Sequence, residues 1–191
     1  MYYLDTSIII SYLCSNEDKH DIVSKFLHKI RNRGIHISTY TIIETTNTLC
    51  RIAHEYERSG KRFIEPLNSL VKQVKDPEAR CKAILGFVIE FLTEKLGAKI
   101  IDDPQNYQFV ELVTRVKVPN LFKVAIELSP KVRLRIKDLL HVAYAYMLAQ
   151  YYGIRYFITL DVKDFTNNVI QDMKRYLNID VIIPRPQQTD Y

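Results

Sequence analysis

The sequence has no tryptophan, five glycines and seven prolines in 191 residues. So few chain-breaking residues exclude a loop-rich or fibrous chain. Cysteine is also sparse. Cys14, Cys50 and Cys81 stand far apart, with no CxxC pair and no partnering histidine spacing. That excludes a zinc-finger pattern and argues against a disulfide framework, so a reduced, intracellular chain is the simplest expectation. No glycine-rich phosphate loop is present, which disfavours an NTPase or a dinucleotide enzyme. Long apolar runs are missing as well: Ile8 to Ile10 is a fragment, and Ile84 to Leu92 is short and contains Glu90. The opening Met-Tyr-Tyr-Leu-Asp lacks the basic segment of a signal peptide. Together these absences predict a soluble, cytoplasmic protein with no membrane partner.

What is present is a globular composition, 47% hydrophobic and 26% charged, and not that of a disordered chain. At this length folding buries roughly 70% of the unfolded surface, so a core forms without staples. One domain spanning residues 1–191 is expected. The net charge of +5 permits attraction to phosphates without establishing it.

Short apolar strands alternate with helical patterns along the chain. Tyr2 to Leu4 reads as a buried strand, followed by a helix over Ile8 to Cys14 that Thr6 or Ser7 could cap. A helix over Asp21 to Asn32 ends at Gly34, and Ile35 to Ser38 is the second strand. Thr41 opens a helix to about Arg58, stopped by Ser59-Gly60. Residues 63 to 97 read as mostly helical, cut by Pro66 and Pro77 and closed by Gly97. Lys99 to Ile101 reads as a short strand ended by Asp102-Asp103-Pro104. Then come a helix over Gln105 to Lys117, a short helix between Pro119 and Pro130, and an amphipathic helix over Lys137 to Tyr152 capped by Gly153. Arg155 to Leu160 and Ile179 to Ile183 complete the strands. This alternation predicts an α/β fold with a parallel sheet covered by helices, whose ligands collect at the carboxyl ends of the strands.

Four acids fall at that edge. Asp5 ends the first strand, Asp161 follows Leu160, Glu44 sits early in the helix after the second strand, and Asp138 opens the late helix. Converging carboxylates repel one another unless protons or a hard cation neutralise them. Carboxylate and water ligands suit Mg²⁺ or Mn²⁺, which activate water and clamp a phosphoryl oxygen. Each acid also has a structural role open to it. Asp5 could cap a helix, Thr41 to Glu44 fits a capping box, Asp138 suits a helix N-terminus, and Asp161 suits a turn. Asp5 is the hardest to assign to structure alone, because a charge directly after a buried strand is costly.

The joint pattern resembles the PIN-domain ribonuclease family. The stretches that carry it are Tyr3-Leu4-Asp5-Thr6-Ser7, Ile42-Ile43-Glu44, Lys137 to Ala143, and Phe157 to Phe165. Their order spans residues 2 to 183 and looks most like the single-domain prokaryotic branch that includes VapC-type toxins. The resemblance implies a Rossmann-like α/β/α sandwich with a short, mostly parallel sheet. It also implies a Mg²⁺- or Mn²⁺-dependent endoribonuclease leaving a 5′-phosphate and a 3′-hydroxyl. Asp5, Glu44, Asp138 and Asp161 would take the catalytic and metal positions, supported by Thr6, Ser7, Asp164 and His141. RNA is the implied substrate, an antitoxin protein a candidate partner, and a homodimer the expected assembly. The chain departs from a small toxin in its long helical insertion, about residues 60–135, which suits a lid, a dimer surface or a docking site.

Four cations, Lys131, Arg133, Arg135 and Lys137, run directly into Asp138, where RNA phosphates are the natural counter-charge; a solvated face is the other reading. A second cluster, Arg51, Arg58, Lys61 and Arg62, fits a solvated face better. Thirteen tyrosines offer packing before base stacking. The alternative to an enzyme is a non-catalytic PIN-fold module binding RNA or a protein. An acid-cluster phosphatase is disfavoured, because Asp5-Thr6-Ser7 lacks a second aspartate two residues on.

Overall fold

The computed structural model describes residues 1–55, 60, 62–102, 104–113 and 115–186. Within these, β1 (Tyr2–Leu4) leads into α1 (Thr6–Leu13) and α2 (His20–Ile30). Next come β2 (Ile35–Ile37), α3 (Thr39–His54), α4 (Leu67–Gln73) and α5 (Pro77–Glu90), the last continued by a π turn, Phe91–Lys95. After β3 (Lys99–Ile100) the chain forms a hairpin of β4 (Phe109–Glu111) and β5 (Lys117–Pro119). The remainder is α6 (Asn120–Val132), α7 (Ile136–Tyr152), β6 (Tyr156–Ile158), α8 (Asn167–Asp172) with a π turn to Leu177, and β7 (Asp180–Ile182).

The main sheet has the order β3-β2-β1-β6-β7 and every pairing in it is parallel. Its two faces are covered by two separate cores, because side chains alternate along each strand. Leu4, Ile35, Ile37 and Ile158 join the core under α1 to α5. Tyr3 and Phe157 point the other way, into the core under α6, α7 and α8. The fold is therefore an α/β/α sandwich with a mostly parallel sheet, as the strand–helix alternation implies. Among the described residues no helix is long and apolar enough to cross a membrane.

Several expected elements differ. Residues 105–117 do not form one helix; only Pro104–Tyr107 is helical, as a 3-10 turn, before the β4–β5 hairpin. The β-branched run through Val110, Val113, Val116 and Val118 favours strands, and Arg115 takes the positive φ that the reversal needs. The helix expected between Pro119 and Pro130 runs on to Val132, because Pro130 falls in its last turn; Arg133 then closes it in the left-handed conformation. Strand β6 stops at Ile158, two residues short of Leu160. The helix expected to reach Arg58 is described to His54; Arg58, Ser59 and Lys61 lie outside the described residues, as does Asp103. The expectation for cysteine is also corrected. Helices α3 and α5 pack side by side and bring Cys50 and Cys81 to a Cα–Cα distance of 5.4 Å, where they are disulfide-bonded. Gly153 ends α7 with φ of 67°, as its position predicts.

Phe157 is fully buried and stacks between Tyr3 and Phe165. Truncating it to Ala should cost about 3–5 kcal/mol of unfolding free energy in urea titration. Ile126→Ser, at a 53%-exposed position, should change it by less than about 0.5 kcal/mol.

Candidate active site

The parallel register sets the first part of the site. Leu4 pairs with Ile158, so the residues that follow, Asp5 and Thr159, leave the sheet side by side. Asp5 forms the start of α1 through its backbone, but its carboxylate makes no capping bond. Oδ2 instead accepts hydrogen bonds from Ser7 Oγ and Thr159 Oγ1, both at 2.7 Å. Asp5 is only 5% exposed, so these two donors offset its burial.

Glu44 comes from α3. That helix begins at Thr39 with Ser38 as its cap, Ser38 Oγ accepting from the Thr41 amide. Glu44 therefore lies in the second turn, beyond capping-box position, and its side chain is available to the cleft. His141 Nε2–H donates to Glu44 Oε2 at 2.7 Å and lies 3.4 Å from Asp5 Oδ1. With the proton on Nε2, Nδ1 accepts from the Tyr3 hydroxyl, 3.1 Å away. The Tyr3 oxygen also bonds with Ser38 Oγ at 2.8 Å and Thr41 Oγ1 at 3.1 Å. His141 is 1% exposed. The His141 bond, outweighing burial, draws the Glu44 carboxyl down to about 2.

A second group gathers Asp138, Asp161 and Asp164. Each offers an oxygen within 4.8 Å of the others, and in the first group the oxygens of Asp5 and Glu44 and a ring nitrogen of His141 lie equally near one another. Asp161 Oδ1 accepts from the amides of Lys163 and Asp164, so this acid holds the turn while its Oδ2 lies toward Arg135. Arg135 lies against all three. It bonds to Asp164 and sits 3.7 Å from Asp161 and 3.9 Å from Asp138. That contact holds the Asp164 carboxyl below its usual range. Asp138 is 5% exposed, and its buried Oδ2 has no hydrogen-bond partner among the described residues. Burial first, then the charges of Asp5 and Asp164, push its carboxyl up to about 6.

One cleft of about 440 Å³ is lined by Asp5, Glu44, Asp138 and Asp161, with Thr6 and Ser7 beside them. The four acids expected from the sequence thus come from four separate segments to one place. Asp164 stands in the same group as Asp138 and Asp161. Of the four cations ahead of Asp138, Lys137 enters this cleft, 3.8 Å from Glu44, and Arg135 faces the acids. Lys131 and Arg133 line a neighbouring groove. Sequence reasoning passed over Thr159 and Tyr3. A hydroxyl just beyond a strand end, and a tyrosine alternating away from Leu4, were the available signals. An unpartnered buried carboxylate oxygen among clustered carboxylates fits a hard divalent cation, with Asp138 and its neighbours as donors.

The chain is thus a parallel α/β sandwich with clustered acids at the carboxyl edge of its sheet. Residues 2–86 match the family model of the PIN domain, so the PIN resemblance is shown over that part of the chain. Asp138 and Asp161 lie beyond the matched segment, and the fold returns them to Asp5 and Glu44. A chain of VapBC2 from Rickettsia felis, solved bound to a DNA fragment from its promoter, is similar at 18% identity and a TM-score of 0.49. The alignment covers 95% of this chain and 97% of that one. No curated protein sequence matches.

The two displaced carboxyls predict opposite pH responses in metal-free buffer. Asp138 holds its proton more tightly folded than unfolded, so its stabilisation is full below the ordinary carboxyl pKa and is lost as pH rises through about 6. Asp138→Asn should therefore gain in Tm relative to wild type between pH 4 and 7. Glu44 contributes the reverse: its stabilisation is present above the ordinary value and lost as pH falls toward about 2. Glu44→Gln should cost stability at pH 7 and progressively less on acidification. Thermal melts across pH 3–8 read both.

Proposed function

We propose that this chain is a metal-dependent endoribonuclease that hydrolyses RNA phosphodiester bonds. The observation that carries the reading is the convergence of Asp5, Glu44, Asp138 and Asp161 on one cleft, with a buried Asp138 oxygen that has no hydrogen-bond partner among the described residues. These four residues would hold Mg²⁺ or Mn²⁺, with Asp164 next to Asp138. When bound, the cation supplies an activated water and neutralises charge on the phosphoryl oxygens. The chain's own residues prepare the rest. Ser7 and Thr159 fix one oxygen of Asp5, and His141, held by Tyr3, fixes Glu44. Asp138 would hold the cation as its carboxylate, so metal binding should weaken as pH falls through about 6. Lys137, at the cleft wall, offers a counter-charge to the incoming phosphate.

We read the whole chain as one PIN-like domain acting in the cytoplasm, with the segment of about 60–135 inserted between two halves of the site. A toxin role with an antitoxin partner, and a homodimer, extend the same proposal. Exposed Phe109, Phe122 and Ile126 on the insertion supply apolar surface for a protein partner.

Asp5→Asn keeps the size of the side chain and removes a ligand charge. It should lower Mg²⁺-dependent cleavage of single-stranded RNA by orders of magnitude while the circular dichroism spectrum stays that of wild type. Unchanged cleavage by the folded variant would refute the nuclease reading as drawn, with Asp5 at the metal. Metal titration separates the neighbouring acids. Asp161→Asn should weaken Mn²⁺ binding more than Asp164→Asn, whose damage should fall mainly on Tm through loss of the Arg135 bond. The opposite order would move the fourth ligand to Asp164.

A further inference from the structure

Beside the acidic cleft lies a second groove of about 680 Å³. That volume is within the roughly 300–1,000 Å³ of small-ligand pockets. Its lining includes Lys131, Arg133, Lys163, Asn168, Gln171 and Tyr176. Asp164, one of the three clustered aspartates, also lines it, so the groove begins where the acid site ends.

The groove combines the three chemistries that a single nucleic-acid strand requires. Lys131, Arg133 and Lys163 supply cations, and none of the three is in a salt bridge among the described residues. Two carboxylates oppose them, Asp172 and Asp164, and the second is already neutralised by Arg135. Asn168 and Gln171 are exposed side-chain amides on one helical turn of α8, able to pair with base edges. Tyr176 follows at helical spacing. It is 45% exposed, and the Arg175 guanidinium lies 5.3 Å from its ring centroid. An exposed aromatic in a cation-lined groove, with Arg175 over one ring face only, is a stacking platform for a base. Arg133 is held in the left-handed region at φ of 44°, a conformation that a non-glycine residue adopts at a local cost.

We infer that this groove is a nucleotide subsite for single-stranded RNA: Lys131, Arg133 and Lys163 hold phosphates flanking the scissile one, and Tyr176 stacks a neighbouring base. The inference rests on the nuclease reading for its substrate and adds the path of the strand, from the acidic cleft past Asp164 to Tyr176. The amides of Asn168 and Gln171 make this the place where sequence preference is set, several side chains away from the chemistry.

The test uses full-length protein in EDTA, where cleavage is suppressed, and fluorescein-labelled single-stranded RNA read by anisotropy. Tyr176→Ala should weaken binding roughly fivefold or more, and Tyr176→Phe should bind as wild type. Lys131→Gln with Lys163→Gln should weaken binding of all sequences alike and lower the log–log salt slope by roughly 0.7 for each phosphate left without its cation. RNA carrying 2-aminopurine at successive positions should show quenching at one position that Tyr176→Ala abolishes and Tyr176→Phe retains. Circular dichroism melts matching wild type keep misfolding out of the comparison. Wild-type affinity, salt slope and quenching in Tyr176→Ala and the double lysine variant would overturn the subsite and leave the groove to a protein partner. Failure of the nuclease reading looks different: the groove variants bind RNA weakly as expected, yet wild type supplied with Mg²⁺ or Mn²⁺ leaves the RNA uncut. A wild-type protein that binds no RNA overturns both.

Discussion

The structure turns on the repulsion among acids gathered at the carboxyl edge of one parallel sheet. Five aspartate and glutamate side chains from four segments meet there, and a protein interior does not tolerate that many like charges without compensation. The compensation is distributed. Two hydroxyls serve Asp5, a buried histidine serves Glu44, and Arg135 is drawn in among Asp138, Asp161 and Asp164. Asp138 receives least, and burial first, then the charges of Asp5 and Asp164, push its carboxyl up to about 6. A divalent cation would complete what these partners leave undone.

That constraint accounts for the buried polar network beneath the site. The Tyr3, Ser38, Thr41 and His141 network links β1, α3 and α7 beneath the cleft, and each member is buried. A buried, mutually satisfied polar network fixes side-chain directions more tightly than apolar packing alone. His141 is therefore a positioning residue for Glu44, and Tyr3 positions His141 in turn. The insertion contributes none of the acids. It places α4 and α5 against the first core and the β4–β5 hairpin near α6, which supplies Lys131 to the groove beside the site.

Much of this was legible in the sequence. Strand ends at Asp5 and near Asp161, and helix starts at Glu44 and Asp138, follow from short apolar runs stopped by charge. The parallel sheet follows from their alternation with helices. What escaped sequence reading depended on three-dimensional direction. Glu44 moves from capping position to the second turn because Ser38 caps α3, which only the cap bond reveals. Arg135 reads as one more phosphate-binding cation in a basic run, yet its exposed guanidinium lies against the three aspartates, which attract it there. Thr159 matters only through the register that sets it beside Asp5. The hairpin within residues 109–119 carries the same apolar residues as a helix would, and β-branching decides between them. Cys50 and Cys81 are 31 residues apart and meet only through the packing of two helices.

Anomalous diffraction from a crystal soaked with Mn²⁺ bears most directly on the role of the clustered acids. The predicted result is a manganese peak inside the cleft, bordered by carboxylates from Asp5, Glu44, Asp138 and Asp161. Saturating Mn²⁺ with no peak in that cleft, or a peak only at surface carboxylates elsewhere, would contradict it.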